Sequence, residues 1–317
     1  MTGEPAFCVC VPARNEERRL SVLLAALATQ DLPGRISIAL CINNSTDGSL
    51  HQAQAAADRW KDRLDIVVDL QTFPEHRAHA GAARRAAMSV GLERLADQPN
   101  GVLISTDADT RPPPNWLSAN LACIVDGADL VGGRLVLDEA EAISADVAAL
   151  RQMWDAYWRE VRAIEDEIDP SPHDPAPRHG DHTGASLAIT AAAYLSAGGV
   201  PEQPTGEDRA LVIAAQAQGG RLVHPLAVWT RVSARTTGRA AGGMAEDMTR
   251  LFDQARNGGP IMAPDFSHWR QRASWRRGQR HDAASVRRLP ALETQLPAMP
   301  LDLDLRGWTD GLERAAA

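Results

Sequence analysis

The alternation of strand-like and helix-like segments is the feature that most restricts how this chain folds. Strand-like runs rich in apolar and β-branched residues lie at 6–13, 35–44, 64–70, 101–106 and 128–137, and segments of helical period lie at 16–29, 49–62, 79–95 and 114–125. Such alternation is typical of a mostly parallel sheet with helices on its faces. We therefore predict an α/β fold, in which ligands bind beyond the carboxyl ends of the strands.

Composition excludes several classes of protein. The chain has 317 residues, 44% of them hydrophobic, which is enough for one large domain or two lobes. Its formal net charge of -8 argues against a nucleic-acid partner. The four cysteines lack the paired spacing of a zinc site, and no apolar run approaches the roughly 20 residues that span a bilayer. We expect a cytoplasmic protein with free thiols and no transmembrane segment.

Two aspartates follow the fourth predicted strand in the sequence S-T-D-A-D-T. On an extended chain, Asp107 and Asp109 point the same way and Ala108 points away. Two carboxylates that face one spot repel each other unless a cation lies beside them, and Mg²⁺ or Mn²⁺ would also bridge a diphosphate. The alternative is an ordinary solvated turn.

Four short motifs follow one another along the N-terminal part of the chain. The usual nucleotide-binding signatures, a G-x-G-x-x-G sequence and a Walker loop, are absent from the sequence. The four motifs are V-P-A-R-N-E at 11–16, a polar turn at 43–49, A-G-A-A-R-R-A-A at 80–87 and D-A-D at 107–109. Together they resemble family 2 glycosyltransferases of the GT-A fold, and the resemblance covers roughly residues 7–240. It implies a central, mostly parallel sheet with a nucleotide-sugar site at its carboxyl edge.

The resemblance also implies roles for individual residues. Those expected to bind the nucleotide sugar are Pro12, Ala13, Arg14, Asn15, Glu16, Asn44, Asp47, Arg84, Asp107, Ala108 and Arg235. Arg84 is nearest the family's nucleotide-side arginine, with Arg85 as a rival. Asp109 is the implied metal ligand, Asp107 supports it, and His224 either completes the metal shell or is a structural histidine at a strand end.

The second half carries an acid pair that opens a helix. The resemblance assigns Asp208 as the general base that takes a proton from the acceptor hydroxyl, with Glu207 beside it. Alternatively, both acids merely favour a helix N-terminus. The implied enzyme is a metal-dependent glycosyltransferase of hexosyltransferase type that uses a UDP-, GDP- or dTDP-linked donor. Its acceptor, a small molecule, lipid or glycan, is unknown, and inversion is expected.

Other functions stay open. A retaining GT-A enzyme of the glucosyl-phosphoglycerate synthase type would not need Asp208 as a base. A nucleotidyltransferase would carry a glycine-rich loop after the first strand, which this sequence lacks. The last alternative is a non-catalytic module that binds a nucleotide sugar.

We predict a nucleotide-sugar-binding half at 1–137, an acceptor-binding half at 138–260 and an arginine-rich C-terminal extension at 261–317. The arginines could attract a phosphorylated acceptor, make peripheral contact with an anionic membrane, or pair with an acidic helix. The histidine- and proline-rich loop at 170–183 is expected to form an acceptor-side lid, with zinc binding as the alternative. Trp154, Tyr157 and Trp158 are expected to pack together or to stack on a sugar.

Overall fold

The structure is a computed structural model that describes residues 5–96, 98, 100–238 and 244–308. Its strands are β1 (Phe7–Ala13), β2 (Ile36–Asn43), β3 (Leu64–Gln71), β4 (Val102–Ser105), β5 (Thr110–Arg111), β6 (Leu130–Gly132), β7 (Arg134–Leu137), β8 (Leu187–Thr190), β9 (Leu222–Val223), β10 (Trp229–Val232), β11 (Met262–Ala263) and β12 (Leu303–Asp304). Its helices are α1 (Leu20–Ala28), α2 (Ser49–Arg59), α3 (Ala80–Arg94), α4 (Trp116–Val125), α5 (Ala145–Ile168), α6 (Ala191–Ser196), α7 (Glu207–Ala217), α8 (Met244–Asn257), α9 (Phe266–Gln279) and α10 (Ala283–Glu293). Within these ranges, no helix combines the length and the apolar character needed to cross a membrane.

The described chain forms two compact units. The first comprises residues 5–138 and 180–233, and the second comprises residues 139–179, 234–238 and 244–308. The boundaries predicted from the sequence divide the chain into three consecutive segments. In the structure, residues 180–233 fold with residues 5–138, because β8 belongs to the same sheet as the N-terminal strands. The binding roles assigned to the three predicted segments stay a prediction.

A seven-stranded sheet organises the first unit, in the order β3-β2-β1-β4-β8-β6-β9. Its strands pair in parallel except β8, which is antiparallel to both β4 and β6. The central strands are buried along most of their length, which explains their almost continuous apolar sequences. This mostly parallel sheet with flanking helices confirms the predicted α/β fold.

The segment 128–137, predicted as one strand, divides at Gly132 and Gly133. β6 joins the large sheet, whereas β7 pairs with β10 in a three-stranded sheet of order β5-β10-β7. A Cβ atom at Gly132 would overlap the carbonyl oxygen of Asp181, and one at Gly133 would overlap the Ser186 side chain. The two glycines therefore allow other backbone and side-chain atoms to approach closely where the chain passes from one sheet to the other.

Apolar side chains of β1 pack into two separate clusters. Val9 and Val11 belong to one cluster, while Cys8 and Cys10 belong to the other, as the alternation of side chains along a strand requires. Cys8, Cys10 and Cys41 are buried free thiols, as predicted, whereas Cys123 is a free thiol that is only partly buried. Burial raises the pKa of the Cys41 thiol to about 12.

A buried ionic network joins α9 to α5 within the second unit. Glu165 is 2% exposed and is surrounded by three cationic side chains, those of Arg162, Arg178 and Arg276. Arg280 binds both carboxylate oxygens of Asp169, at 2.6 and 2.9 Å. Because a buried carboxylate without cationic partners is costly, these arginines have a structural use. The arrangement favours pairing with the acidic helix over the other two roles considered for the extension.

The aromatic residues of α5 pack against α9. The Tyr157 ring lies 5.4 Å from that of Phe266, and the Trp158 ring lies 5.5 Å from that of Trp269. Trp269 Nε1 also donates a hydrogen bond of 2.6 Å to the Tyr157 hydroxyl. These contacts favour packing as the role of the cluster.

Candidate functional site

The loops after β1 and β2 are joined to each other by hydrogen bonds. Asn15 and Asn44 have left-handed backbones, with φ of 51° and 45°, which asparagine accepts more readily than most residues. The Asn15 backbone N–H donates to Ser45 Oγ at 2.9 Å, and Asn15 Oδ1 accepts from the Thr46 N–H at 2.7 Å. These bonds hold the V-P-A-R-N-E segment against the polar turn that follows β2.

Asp47 and Asn44 support the same loops with their side chains. Asp47 Oδ1 accepts from the hydroxyl and the N–H of Ser49, at 2.6 and 3.0 Å, and Oδ2 accepts from the Glu17 N–H at 3.0 Å. Desolvation alone would raise the pKa of Asp47, but these hydrogen bonds outweigh it and lower the pKa. Asn44 exchanges hydrogen bonds with the backbone of Phe73. Both side chains thus make structural contacts, and their part in nucleotide binding stays a prediction.

The other residues predicted on the nucleotide side surround the end of β1. Pro12 and Ala13 belong to the strand itself, and Ala13 is buried. Glu16 is buried, and its backbone N–H bonds to the first residue of α2. Arg14 Nη1 donates to the carbonyl oxygen of Ala78 at 2.8 Å, just before α3 begins. The segments predicted after β1, after β2 and before α3 therefore meet at one edge of the sheet.

The segment around Asp107 and Asp109 forms a turn and does not continue the strand. β4 ends at Ser105, and the N–H and hydroxyl of Thr110 both bond to the Asp107 carbonyl oxygen, at 3.2 and 2.9 Å. The argument from an extended chain therefore does not apply here. Ala108 is nevertheless buried, while both aspartates are partly exposed.

Arg84, on α3, is a buried cation shared by several partners. It is 4% exposed. Its donors bond to Glu207 Oε1 at 3.0 Å, Ser105 Oγ at 2.7 Å, the Gly184 carbonyl oxygen at 2.9 Å and Asp107 Oδ1 at 2.8 Å. Burial alone would lower the pKa of Arg84, but the charges of Asp107, Glu207 and Asp208 outweigh it and raise the pKa above its ordinary value. One guanidinium thus joins the turn after β4 to the start of α7.

Glu207 and Asp208 form the first turn of α7, which follows Gly206. Gly206 has a φ of 74°, a conformation that glycine adopts without steric cost. Asp208 Oδ2 accepts from the Gly184 N–H at 2.7 Å, and Oδ1 accepts from the Arg209 N–H at 2.7 Å. Glu207 is buried, whereas Asp208 is only partly buried. The helix start therefore both stabilises the two charges and leaves one of them accessible.

Gly184 has no room for a side chain because Arg84 packs on its Cα atom. A Cβ atom there would overlap the Arg84 guanidinium. We expect Gly184→Ala to lower the free energy of unfolding by about 1 to 3 kcal/mol, the usual cost of overpacking. Thermal or urea unfolding measures this. Gly259→Ala is the control, since its added Cβ would meet no atom within 4 Å. Equal unfolding midpoints for the two variants would contradict this close packing.

His224 and Arg235 are the remaining residues predicted at the site. His224 Nε2 lies 3.1 Å from His182 Nδ1. The described part of the chain contains no group of three or more His, Cys, Asp or Glu side chains placed to hold a metal ion. The part of His224 in metal binding, and the zinc alternative for the histidine-rich loop, stay predictions. Arg235 belongs to the second unit, and its closure over a diphosphate stays a prediction.

Ser105 and Gly184 belong to the network but were not among the predicted site residues. Ser105 Oγ donates to the Gly184 carbonyl oxygen at 2.8 Å, and Arg84 bonds to both groups. Both residues pack closely against Arg84. Their partner could not be identified, because the contact joins residues 100 positions apart.

The first unit is similar to a known family. The sequence model of the family described as Glycosyl transferase family 2 matches residues 8–147. The match includes the loops after β1 and β2, Arg84 and the turn of Asp107. No curated protein matches the sequence at a significant level.

Solved structures share the fold at low sequence identity. The mannosyltransferase PcManGT from Pyrobaculum calidifontis, in complex with GDP-Man and Mn²⁺, is 18% identical, with a TM-score of 0.53 and coverage of 100% of this chain and 82% of its own. TarS 1-349 from S. aureus, in complex with UDP-GlcNAc, is 16% identical, with a TM-score of 0.50 and coverage of 87% of this chain and 72% of its own. At these identities the likeness concerns the fold alone, which is the GT-A fold predicted from the sequence.

Proposed function

Because residues 8–147 belong to glycosyl transferase family 2 and the fold is GT-A, we propose that this chain transfers a sugar from a nucleoside diphosphate donor to an acceptor hydroxyl. The observation that carries this proposal is the network around Arg84. It brings an aspartate from the turn after β4 together with the acid pair that opens α7. Family membership supports the donor class, and the acid pair supports chemistry at a hydroxyl.

The charges of the site fit a divalent cation. The carboxylates of Asp107, Glu207 and Asp208 all act on Arg84, and Asp109 adds a fourth carboxylate in the same turn as Asp107. Arg84 binds Oδ1 of Asp107, yet that side chain is 38% exposed, so a cation can reach it. One or two carboxylates combined with phosphate oxygens is the usual environment of Mg²⁺. We propose Asp107 and Asp109 as the residues that hold Mg²⁺ or Mn²⁺.

The acid pair suggests how the reaction proceeds. Asp208 takes the proton of the acceptor hydroxyl as that oxygen attacks the anomeric carbon and the bond to the diphosphate breaks. The Gly184 N–H, at 2.7 Å, holds the carboxylate in position. Attack from the face opposite the leaving group inverts the anomeric configuration. When bound, a divalent cation would neutralise charge on the departing diphosphate.

Titration with nucleotides tests the donor class directly. UDP, GDP and dTDP, each with and without Mn²⁺, are added to the protein during thermal unfolding. We expect one nucleotide to raise the melting temperature only when Mn²⁺ is present. A ligand at about 100 times its Kd stabilises the folded state by about 2.7 kcal/mol, which shifts the melting temperature by several degrees.

The control is the same measurement with AMP, a nucleotide without a diphosphate, in place of UDP, GDP and dTDP. A cooperative melt that no nucleotide shifts, with or without the metal, would contradict the proposed function. A shift in melting temperature that does not need Mn²⁺ would support the proposed donor class and contradict the proposed metal dependence. The product's anomeric configuration, measured by NMR, separates inversion from the retaining alternative.

A further inference from the structure

Arg84 has little donor capacity left for a nucleotide, although the resemblance places it on the nucleotide side. A guanidinium has five N–H donors. Hydrogen bonds to Glu207, Ser105, Gly184 and Asp107 use four of them, and the side chain is 5% exposed. A residue so enclosed acts mainly on its protein partners.

The partners of Arg84 lie on both the donor side and the acceptor side of the proposed reaction. Nη2 binds Asp107, on the metal and donor side, while Nε binds Glu207, beside the proposed base. Nη1 binds the carbonyl oxygen of Gly184, whose own N–H donates to Asp208. Asp208, the proposed base, is thus connected to Arg84 through one intervening residue, Gly184.

Resting on the proposed function, we propose that Arg84 is a positioning residue that holds the metal-side carboxylate and the general base in one fixed arrangement. The planar fork of arginine can hold such partners at set angles, whereas lysine offers a point charge on a flexible stem. Lysine at this position keeps the positive charge and loses the geometry. The proposal therefore expects Arg84→Lys to impair donor binding and turnover together.

The test compares Arg84→Lys with Arg85→Lys. Arg85 is the next residue on the same helix, and it is the more exposed of the two and bonds to the carbonyl oxygen of Val200 at 2.6 Å. The affinity for the nucleotide that shifts the wild-type melt is measured with Mn²⁺ by calorimetry. Turnover is measured as hydrolysis of the matching donor at saturating donor and Mn²⁺. Water then replaces the acceptor, Asp208 takes its proton, and the nucleoside diphosphate leaves.

We expect Arg84→Lys to weaken Mn²⁺-dependent nucleotide affinity by about tenfold and to lower saturated turnover by about 100-fold, the effect of a misplaced reacting group. Arg85→Lys should change neither by more than about twofold. Loss of affinity with intact saturated turnover would make Arg84 a nucleotide contact and overturn the proposal. A lower melting temperature with both activities intact would make it merely structural and also overturn it.

Glu207→Gln is the second variant, in case Arg84→Lys does not fold. It keeps the size of the side chain and removes the charge that anchors Arg84 on the side of the base. The proposal expects weaker Mn²⁺-dependent nucleotide binding, although the change lies on the acceptor side, and an unchanged Kd would overturn it. If the wild-type protein binds no nucleotide with Mn²⁺, the proposed function itself has failed, and this outcome differs from all of the others.

Discussion

Asp208→Asn is expected to lower turnover by about 10³-fold, within the usual contribution of a general base, while Mn²⁺-dependent nucleotide binding stays unchanged. Asparagine has the same shape, and its amide oxygen can still accept the hydrogen bond from the Gly184 N–H. The variant therefore keeps the contact with Gly184, loses the one that Oδ1 accepts from the Arg209 N–H, and loses the group that takes a proton. Calorimetry with the nucleotide, together with donor hydrolysis at saturation, separates the two effects.

The matched control for Asp208→Asn is Glu202→Gln. Glu202 lies shortly before α7, is 34% exposed in its side chain and pairs with Arg77 at 2.7 Å. Its neutralisation should leave turnover within about twofold of the wild type, as is usual for a surface substitution. Turnover above about a tenth of the wild-type value in Asp208→Asn would exclude a general base at this position. The retaining alternative would then be the better explanation.

The architecture of the first unit could be predicted largely because its strands β1, β2 and β4 are buried on both faces. Residues such as Val9, Ile38 and Ile104 lie at 0% exposure, so the strands form apolar runs that differ clearly from the intervening helices. The order of the four motifs along the chain then placed three of them at the carboxyl ends of β1, β2 and β4 and the fourth at the start of α3. Local sequence contains this information, since apolar composition and periodicity are properties of each segment by itself.

Contacts between distant segments could not be predicted in the same way. The turn of Asp107 depends on Thr110, whose hydroxyl lies 2.7 Å from the Thr106 hydroxyl. Thr106 donates to the carbonyl oxygen of Ala185, the residue after Gly184. The resemblance implies that Asp47 binds the nucleotide, which stays a prediction, whereas the structure shows that its oxygens accept hydrogen bonds from the Glu17 backbone and from Ser49. Neither outcome is visible in the spacing of the residues.

Arg84 shows the same limit most clearly. The resemblance placed Arg84 nearest the family's nucleotide-side arginine, with the neighbouring Arg85 as a rival. Only the tertiary structure shows that Arg84 points into the buried network while Arg85 reaches Val200. A one-residue difference on a helix changes the direction of a side chain by about 100°, so the choice required the neighbouring elements to be in place.

Asp109→Asn is expected to remove most of the effect of Mn²⁺ on nucleotide binding. A neutral amide in place of a carboxylate ligand weakens a charged contact by about 1.5 to 3 kcal/mol, which corresponds to a loss of affinity of about 10- to 100-fold. We expect the Kd measured with Mn²⁺ to rise by this factor and the Kd measured without metal to change little. Both values come from the same calorimetric titration with the nucleotide.

Asp126→Asn is the matched control, because Asp126 is an exposed aspartate that follows α4 in the same unit. It removes one negative charge without touching the proposed metal side, so it measures the effect of net charge alone. If both variants weaken Mn²⁺-dependent binding equally, the cation responds to overall charge, and Asp109 is not its ligand. If only Asp109→Asn does so while Asp208→Asn retains full binding, the two acids act on different steps, as the proposed roles of metal ligand and general base require.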